Sequence, residues 1–294
     1  MKFFVSLAIR IMAVSSLFIP LAVFAVEPLD VMKAVDKVYR KSFLTAVVKT
    51  QLSTCKYESV NEKMNCKERP RITVVEAGEK RVAPDNLDAQ SLAVILQPIS
   101  DKGIGMLTYE YYNSSKDNDV WIYLPALGKV KRLISGNGNE DGGSFFGTEF
   151  FVDDVAIKKI DDYSYKILRE EIFEDRPVWV MELVPTADRA KRTSYSKLVI
   201  WIDKERNLII REDLYNRSGQ LFKQRMNQNI VQVENVWVSK HQTMNNLLTR
   251  RITSIDNISV TYNKEVPDEL LTQRGLTDLV FRENNLDKLR AFYK

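Results

Sequence analysis

A single histidine, His241 in "SKHQTM", stands in 294 residues. A Ser/His/Asp site needs an imidazole to take the serine proton, and no serine here sits in a G-x-S-x-G setting. The lone histidine reads as structural, and no enzyme of that kind is expected. Cysteine is almost as scarce. Cys55 and Cys66 are the only two, and no further ligands lie near them, so neither a metal site nor a cofactor is expected. An excess of one charge is also missing: 43 basic residues face 39 acidic ones. The short clusters Lys129/Lys131/Arg132, Arg189/Lys191/Arg192 and Arg250/Arg251 read as solvated strand ends, which excludes a nucleic-acid binder.

A long apolar run is absent as well. The most apolar stretch, Ile11 to Phe24, falls short of the roughly 20 residues a spanning helix needs, and Pro20 interrupts it. With Lys2 and Arg10 before it and Val23-Phe24-Ala25 at its end, residues 1–25 read as a cleaved export signal; an uncleaved anchor is the other reading. No cysteine follows the cut, so the mature chain is expected free in the periplasm rather than as a lipoprotein. Nothing resembles a linker in residues 26–294, which read as one domain. In an oxidising compartment Cys55 and Cys66, in the polar stretch "CKYESVNEKMNC" between two strand-like segments, are expected to form a disulfide that closes a hairpin loop.

What the chain does have is strands. "EPLDVMKAVDKVYRKS" predicts a helix, with Pro28 in its first turn and Val31, Met32, Val35, Val38 and Tyr39 on one face. After it the period falls to two. Segments such as "AVVKTQL", "RITVVEA", "SLAVILQ", "VWIYLPA", "VWVMELV", "KLVIWID" and "SVTYN" follow at short intervals with turn residues between them. The pattern predicts a long antiparallel meander, mainly β, with a second helix at "NNLDKLRAFYK" carrying Leu286, Leu289 and Phe292 on one side.

The strand faces bear on function. "VWIYLP" is apolar on both sides, and "VWVMELV" and "LVIWID" nearly so, whereas a sheet facing water would alternate. About ten strands at ~4.8 Å spacing make a sheet roughly 48 Å across, which two short helices cannot cover. The sheet is therefore expected to curl on itself, leaving an apolar hollow unless bulky side chains fill it. Periodicity alone does not choose between a filled core and a ligand cavity.

One stretch stands apart. "GSFFGTEFFVDD" sets Phe145, Phe146, Phe150 and Phe151 among Gly142, Gly143 and Gly147. It reads either as a mobile flap whose rings line or gate an apolar mouth, or as a loop pinned to the core. The acid pairs Asp153/Asp154 and Asp161/Asp162 are adjacent, so on a strand they would face opposite ways and could not flank one bond; solvating a loop or capping a short helix suits them better. Asn137, Asn139, Asp141 and Gly142 follow calcium-loop spacing, but position twelve is Thr148 and Glu149 comes one residue late. No calcium site is expected.

Taken in order, "DVWIYLPALGKVKRLIS", "GSFFGTEFFVDDV", "DDYSYKIL", "LVIWIDKERNLIIREDLYNRSGQLFKQ" and "VPDELLTQRGL" resemble the outer-membrane lipoprotein-sorting proteins of the LolA-like superfamily, in the branch often encoded beside inner-membrane RND exporters of the MMPL type. The resemblance implies a strongly curved antiparallel sheet, an incomplete β-barrel capped on its concave side by a few helices. It implies a non-enzymatic carrier that holds lipid or the acyl chains of lipoproteins and moves them from the inner toward the outer membrane. An RND-type exporter and an outer-membrane acceptor would be its partners. The expected lining or mouth residues are Trp121, Tyr123, Phe145, Phe146, Phe150, Phe151, Trp179, Met181, Leu183, Val199 and Trp201. The alternative is an adaptor for the exporter with the same sheet and a filled core.

Overall fold

The computed structural model describes residues 26–60, 63–133 and 143–293. The predicted export signal and the first part of the calcium-loop-like run, through Gly142, lie outside the described residues. Helix α1 (Pro28–Lys41) starts with Pro28 in its first turn, where a missing N–H breaks no intrahelical bond, and ends on Arg40 and Lys41, which suit the negative end of its dipole. Val31, Met32 and Val35 form its buried stripe.

Among the described residues fourteen strands make one antiparallel sheet. In chain order they are β1 (Thr45–Val60), β2 (Lys63–Cys66), β3 (Arg71–Val82), β4 (Asp88–Gln97), β5 (Gly105–Glu110), β6 (Asp119–Leu124), β7 (Lys129–Leu133), β8 (Tyr163–Phe173), β9 (Arg176–Pro185), β10 (Tyr195–Asp203), β11 (Leu208–Asn216), β12 (Leu221–Val233), β13 (Val236–Asn246) and β14 (Arg251–Tyr262). Four more helices are α2 (Val152–Val155), α3 (Ala187–Ala190), α4 (Gln273–Thr277) and α5 (Leu279–Arg290). Cys55 and Cys66 are joined in a disulfide with Cα atoms 5.8 Å apart, at the root of the β1–β2 hairpin that branches from the main sheet.

The spatial order is β7-β6-β5-β4-β3-β1-β14-β13-β12-β11-β10-β9-β8. A single long meander is thus replaced by two, joined where β1 pairs β14 from Ala46↔Tyr262 to Lys56↔Arg251. Among the described residues the two edges, β7 and β8, do not pair, and the sheet stays open. They are nevertheless consecutive in sequence, and the described part of the chain between them, residues 143–162, is the crossing segment.

One core cluster unites Leu52, Val75, Ile95, Met106 and Val120 from one half of the sheet with Met181, Leu183, Ile200, Ile209 and Met244 from the other. Residues from both halves can meet on one face only if the sheet curves around that face, which is therefore the inner one. Helix α1 and the crossing segment, with Phe146 and Phe150, pack into it. The outer face is split in two. Over β1 and β3 to β6, Leu270, Leu271, Leu276, Leu286 and Leu289 from the C-terminal segment pack on Val47, Leu92, Val94 and Leu107. Over β9 to β11, Val178, Val180, Val199, Trp201 and Ile210 form a separate patch. Helices α4 and α5 thus cover the outside, whereas α1 and α2 occupy the concave side where the resemblance places helical cover. Strands that are apolar on both sides have both sides buried. Phe292, predicted to share the buried face of the last helix, is 38% exposed because a 3-10 turn follows α5.

Candidate functional site

Two cavities adjoin on the inner face. The larger, of about 260 Å³, is walled by α1 (Val38, Tyr39), β3 (Glu79, Arg81) and the far half of the sheet, including Arg225, Asn227, Val236, Val238, Gln242 and Tyr262. The smaller, of about 190 Å³, lies between β3 to β6 and the crossing segment, against Ala77, Ala93, Met106, Val120, Phe145 and Val152. Both touch Glu79, Ser91, Glu110 and Val155, which form a shared neck. The space exists because inward positions on adjacent strands carry small side chains: Ala46 on β1, Ala77 on β3, and Ala89, Ser91 and Ala93 on β4. Their outward neighbours Leu92 and Val94 are fully buried beneath the C-terminal segment.

The crossing segment is tied down at several points. Phe146, at φ 52°, turns the loop together with Gly147 at φ 74°, and Phe145 N–H donates to Phe150 O at 2.8 Å. Glu149 N–H donates to Thr253 Oγ1 at 3.0 Å, and its carboxylate accepts from Arg251 at 2.7 Å and Asn246 at 2.8 Å. Asp153 and Asp154 lie in α2 rather than on a strand. Asp154 accepts from the Phe151 N–H at 2.7 Å, capping α2, and from the Tyr195 hydroxyl at 2.6 Å. Burial first, then the Asp154 charge, pushes the Tyr195 hydroxyl well above its ordinary range. Lys223, fully buried 3.4 Å from Asp154, is lowered by burial that this partner only partly offsets.

A second polar group stands beside α1. Glu212 accepts from Lys158 at 2.7 Å and Arg225 at 3.2 Å. Burial opposes its ionisation, yet those two cations hold the carboxyl below its ordinary range. At the neck the balance is reversed. Burial, reinforced by Glu79, pushes Glu110 up to about 7 against the pull of Arg81 and Arg40. Glu79 is raised as well, burial outweighing Arg81 at 3.1 Å.

The residues predicted to line a hollow separate between the two faces. Trp179, Met181, Leu183 and the four phenylalanines lie on the inner side, and Phe145 alone of the predicted set is in the wall of these two cavities. Trp121 and Tyr123 lie on the outer face among the leucines of the C-terminal segment. Val199 and Trp201 are also outside, where Arg211 lies 4.3 Å from the Trp201 ring and Glu171 accepts its N–H at 2.6 Å. The polar residues of the neck went unpredicted. Their signal was the inward register of Ala77-Glu79-Arg81 beside Ala89-Ser91-Ala93, small residues interleaved with charge.

His241 Nδ1 is 2.6 Å from Asp256 Oδ1, and Ser254 donates to the other oxygen of the same carboxylate at 3.2 Å. A hydroxyl bonded to the acid instead of the imidazole is not arranged for proton transfer to a base. Among the described residues no cluster of three or more His, Cys, Asp or Glu could hold a metal, and no helix is long and apolar enough to cross a membrane.

A family model described as that of an uncharacterized protein matches residues 87–278, about two-thirds of the chain. None of the curated proteins compared matches. Among solved structures, a DUF1329 family protein from Desulfovibrio piger shares 22% identity with a TM-score of 0.74, over 85% of this chain and 97% of the other. An outer membrane lipoprotein-sorting protein domain from Vibrio parahaemolyticus gives 22% and 0.72, over 85% and 98%. A LolA superfamily protein from Nitrosomonas europaea gives 18% and 0.62, over 85% and 100%. The chain therefore belongs to the family that the matching model describes, and it shares the fold of the LolA superfamily protein and of the lipoprotein-sorting protein domain.

Proposed function

We propose that the chain is a periplasmic carrier that holds lipid, or the acyl chains of lipoproteins, inside its curved sheet and moves them from the inner toward the outer membrane with an RND-type exporter. The observation that carries this reading is the pair of adjoining cavities left on the inner face between the sheet, α1 and the crossing segment. The lipoprotein sorting for which the Vibrio domain is named supports it by analogy, and the export-signal pattern of residues 1–25 supports a periplasmic site of action. Transfer by such a carrier needs no bond chemistry. Each methylene moved from water into an apolar site contributes about 0.8 kcal/mol, so a sixteen-carbon chain has on the order of 12 kcal/mol available before ordering costs. Phe145 walls the smaller cavity, and its neighbours in the crossing segment brace it.

Native mass spectrometry of the protein purified from its own envelope tests the reading. A folded protein carrying lipid-sized adducts that organic extraction removes is the expected result. A uniformly empty mass, with no lipid taken up on incubation with vesicles, would leave only the adaptor role.

A further inference from the structure

Eight buried side-chain polar atoms among the described residues lack a hydrogen-bond partner, and four of them belong to three residues in the wall of the larger cavity. They are Arg81 Nε and Nη1, Arg225 Nε and Asn227 Oδ1. Folded interiors pair almost all their buried polar groups, so a concentration of orphans around one cavity points to a missing partner. Three of the four are N–H donors on guanidinium groups, and the partner they lack is an acceptor.

Arg81 is 3% exposed. Its Nη2 donates to Tyr39 O at 2.9 Å and lies 3.1 Å from Glu79, while its Cζ stands 5.1 Å from the Phe43 ring centroid. Arg225 donates through Nη1 to Asp154 O and Glu212, and through Nη2 to Gln242. The planar guanidinium fork suits a carboxylate or phosphate, which offers several acceptor lone pairs in one plane or cluster. The acids at the neck meet this need poorly, since burial favours the protonated forms of both Glu79 and Glu110. Beyond the neck the wall is mostly apolar, with Ala93, Met106, Val120 and Phe145 beside the polar Thr108, Asn118 and Asp153.

Resting on the carrier reading above, we infer that the cargo is an acidic amphiphile. Its carboxylate or phosphate head seats on Arg81 and Arg225 in the larger cavity, and its alkyl chain runs past Ser91 into the smaller one. Head recognition then distinguishes this cargo from a neutral lipid of the same chain length.

The test uses the purified, delipidated protein and displacement of a fluorescent lipid by four competitors with one chain: hexadecanoic acid, its methyl ester, palmitoyl lysophosphatidic acid and monopalmitoylglycerol. At least one acid is expected to bind tenfold or more tighter than its neutral counterpart, and the tighter acid identifies the head as carboxylate or phosphate. In Arg81→Gln the ratio of acid to neutral affinity is expected to fall toward one, and Arg81→Lys to restore part of it. Equal affinity of acids and neutral analogues for the wild-type protein overturns the inference while leaving the carrier intact, and needs no variant to fold. Failure of all four to bind overturns the carrier reading and the inference with it.

Discussion

Glu110 shows what a single position contributes. It closes β5 facing inward, where Glu79 and Arg81 from β3, Arg40 from α1 and the Ile157 backbone surround it. Its carboxyl, ordinarily near 4.5, is pushed up to about 7 by burial and by Glu79. The folded protein therefore holds a proton over an interval in which the unfolded chain has lost it. The stabilisation this gives is complete below pH ~4.5 and is lost as pH rises through about 7. Glu110→Gln should match the wild type in melting temperature near pH 4.5 and exceed it by about 1–2 kcal/mol of stability at pH 8. A difference that stays constant with pH would show that another group titrates. Single positions were also the least legible level of the sequence. Trp121, Val199 and Trp201 are as apolar as Met181 and Leu183, and a period of two sorts residues into faces without saying which face is inward. Arg81 and Glu110 carried no mark of being enclosed, because charge on a strand usually means water.

At the scale of elements the sequence was clearer, and local. The α1 boundaries, the strands and the turns follow from proline placement, apolar spacing and turn chemistry within a few residues of each other. The motif "VPDELLTQRGL" also acquires a physical reason. Leu270 and Leu271 are fully buried on the outer face, the Thr272 side chain caps α4 by accepting from the Gly275 N–H at 3.3 Å, and a Cβ at Gly275 would collide with the Leu270 carbonyl. Gly275→Ala should therefore force α4 away from that carbonyl at a cost of about 1–3 kcal/mol, read as a lower urea midpoint. An unchanged midpoint would mean the turn relaxes freely. The disulfide belongs to this scale too. Apart from the disulfide, β2 is held only by its pairing with β1, outside the main sheet path. Cys55→Ser with Cys66→Ser is expected to cost at most about 2–3 kcal/mol, the entropy of an eleven-residue loop. Amide exchange should rise in residues 57–60 and 63–67, with the β1–β14 ladder staying protected; loss of that ladder would show that the disulfide holds the whole sheet.

The molecule as a whole was legible in its need for curvature and illegible in its path. Doubly apolar strands with too little helix to cover them imply a curled sheet, but pairing β1 with β14 joins residues more than two hundred positions apart, and no local pattern encodes that. The two edges of the open sheet are consecutive in sequence, and the described chain between them, residues 143–162, packs in the hollow through Phe146, Phe150 and Val152. The phenylalanine-rich segment has the composition that crossing requires, with apolar rings to pack inward and glycines at the turns. The crossing divides the interior into two cavities that meet at a neck containing Ser91. Ser91→Phe places a ring where there is space, so the melting temperature should stay within a few degrees of wild type. The ring would close the route between head and tail subsites. Hexadecanoic acid should then bind at least tenfold more weakly while octanoic acid, short enough for the larger cavity alone, is unaffected. Equal binding of the long acid by wild type and variant would show that the alkyl chain does not pass the neck, and equal loss of both acids would place the whole ligand at Ser91 itself.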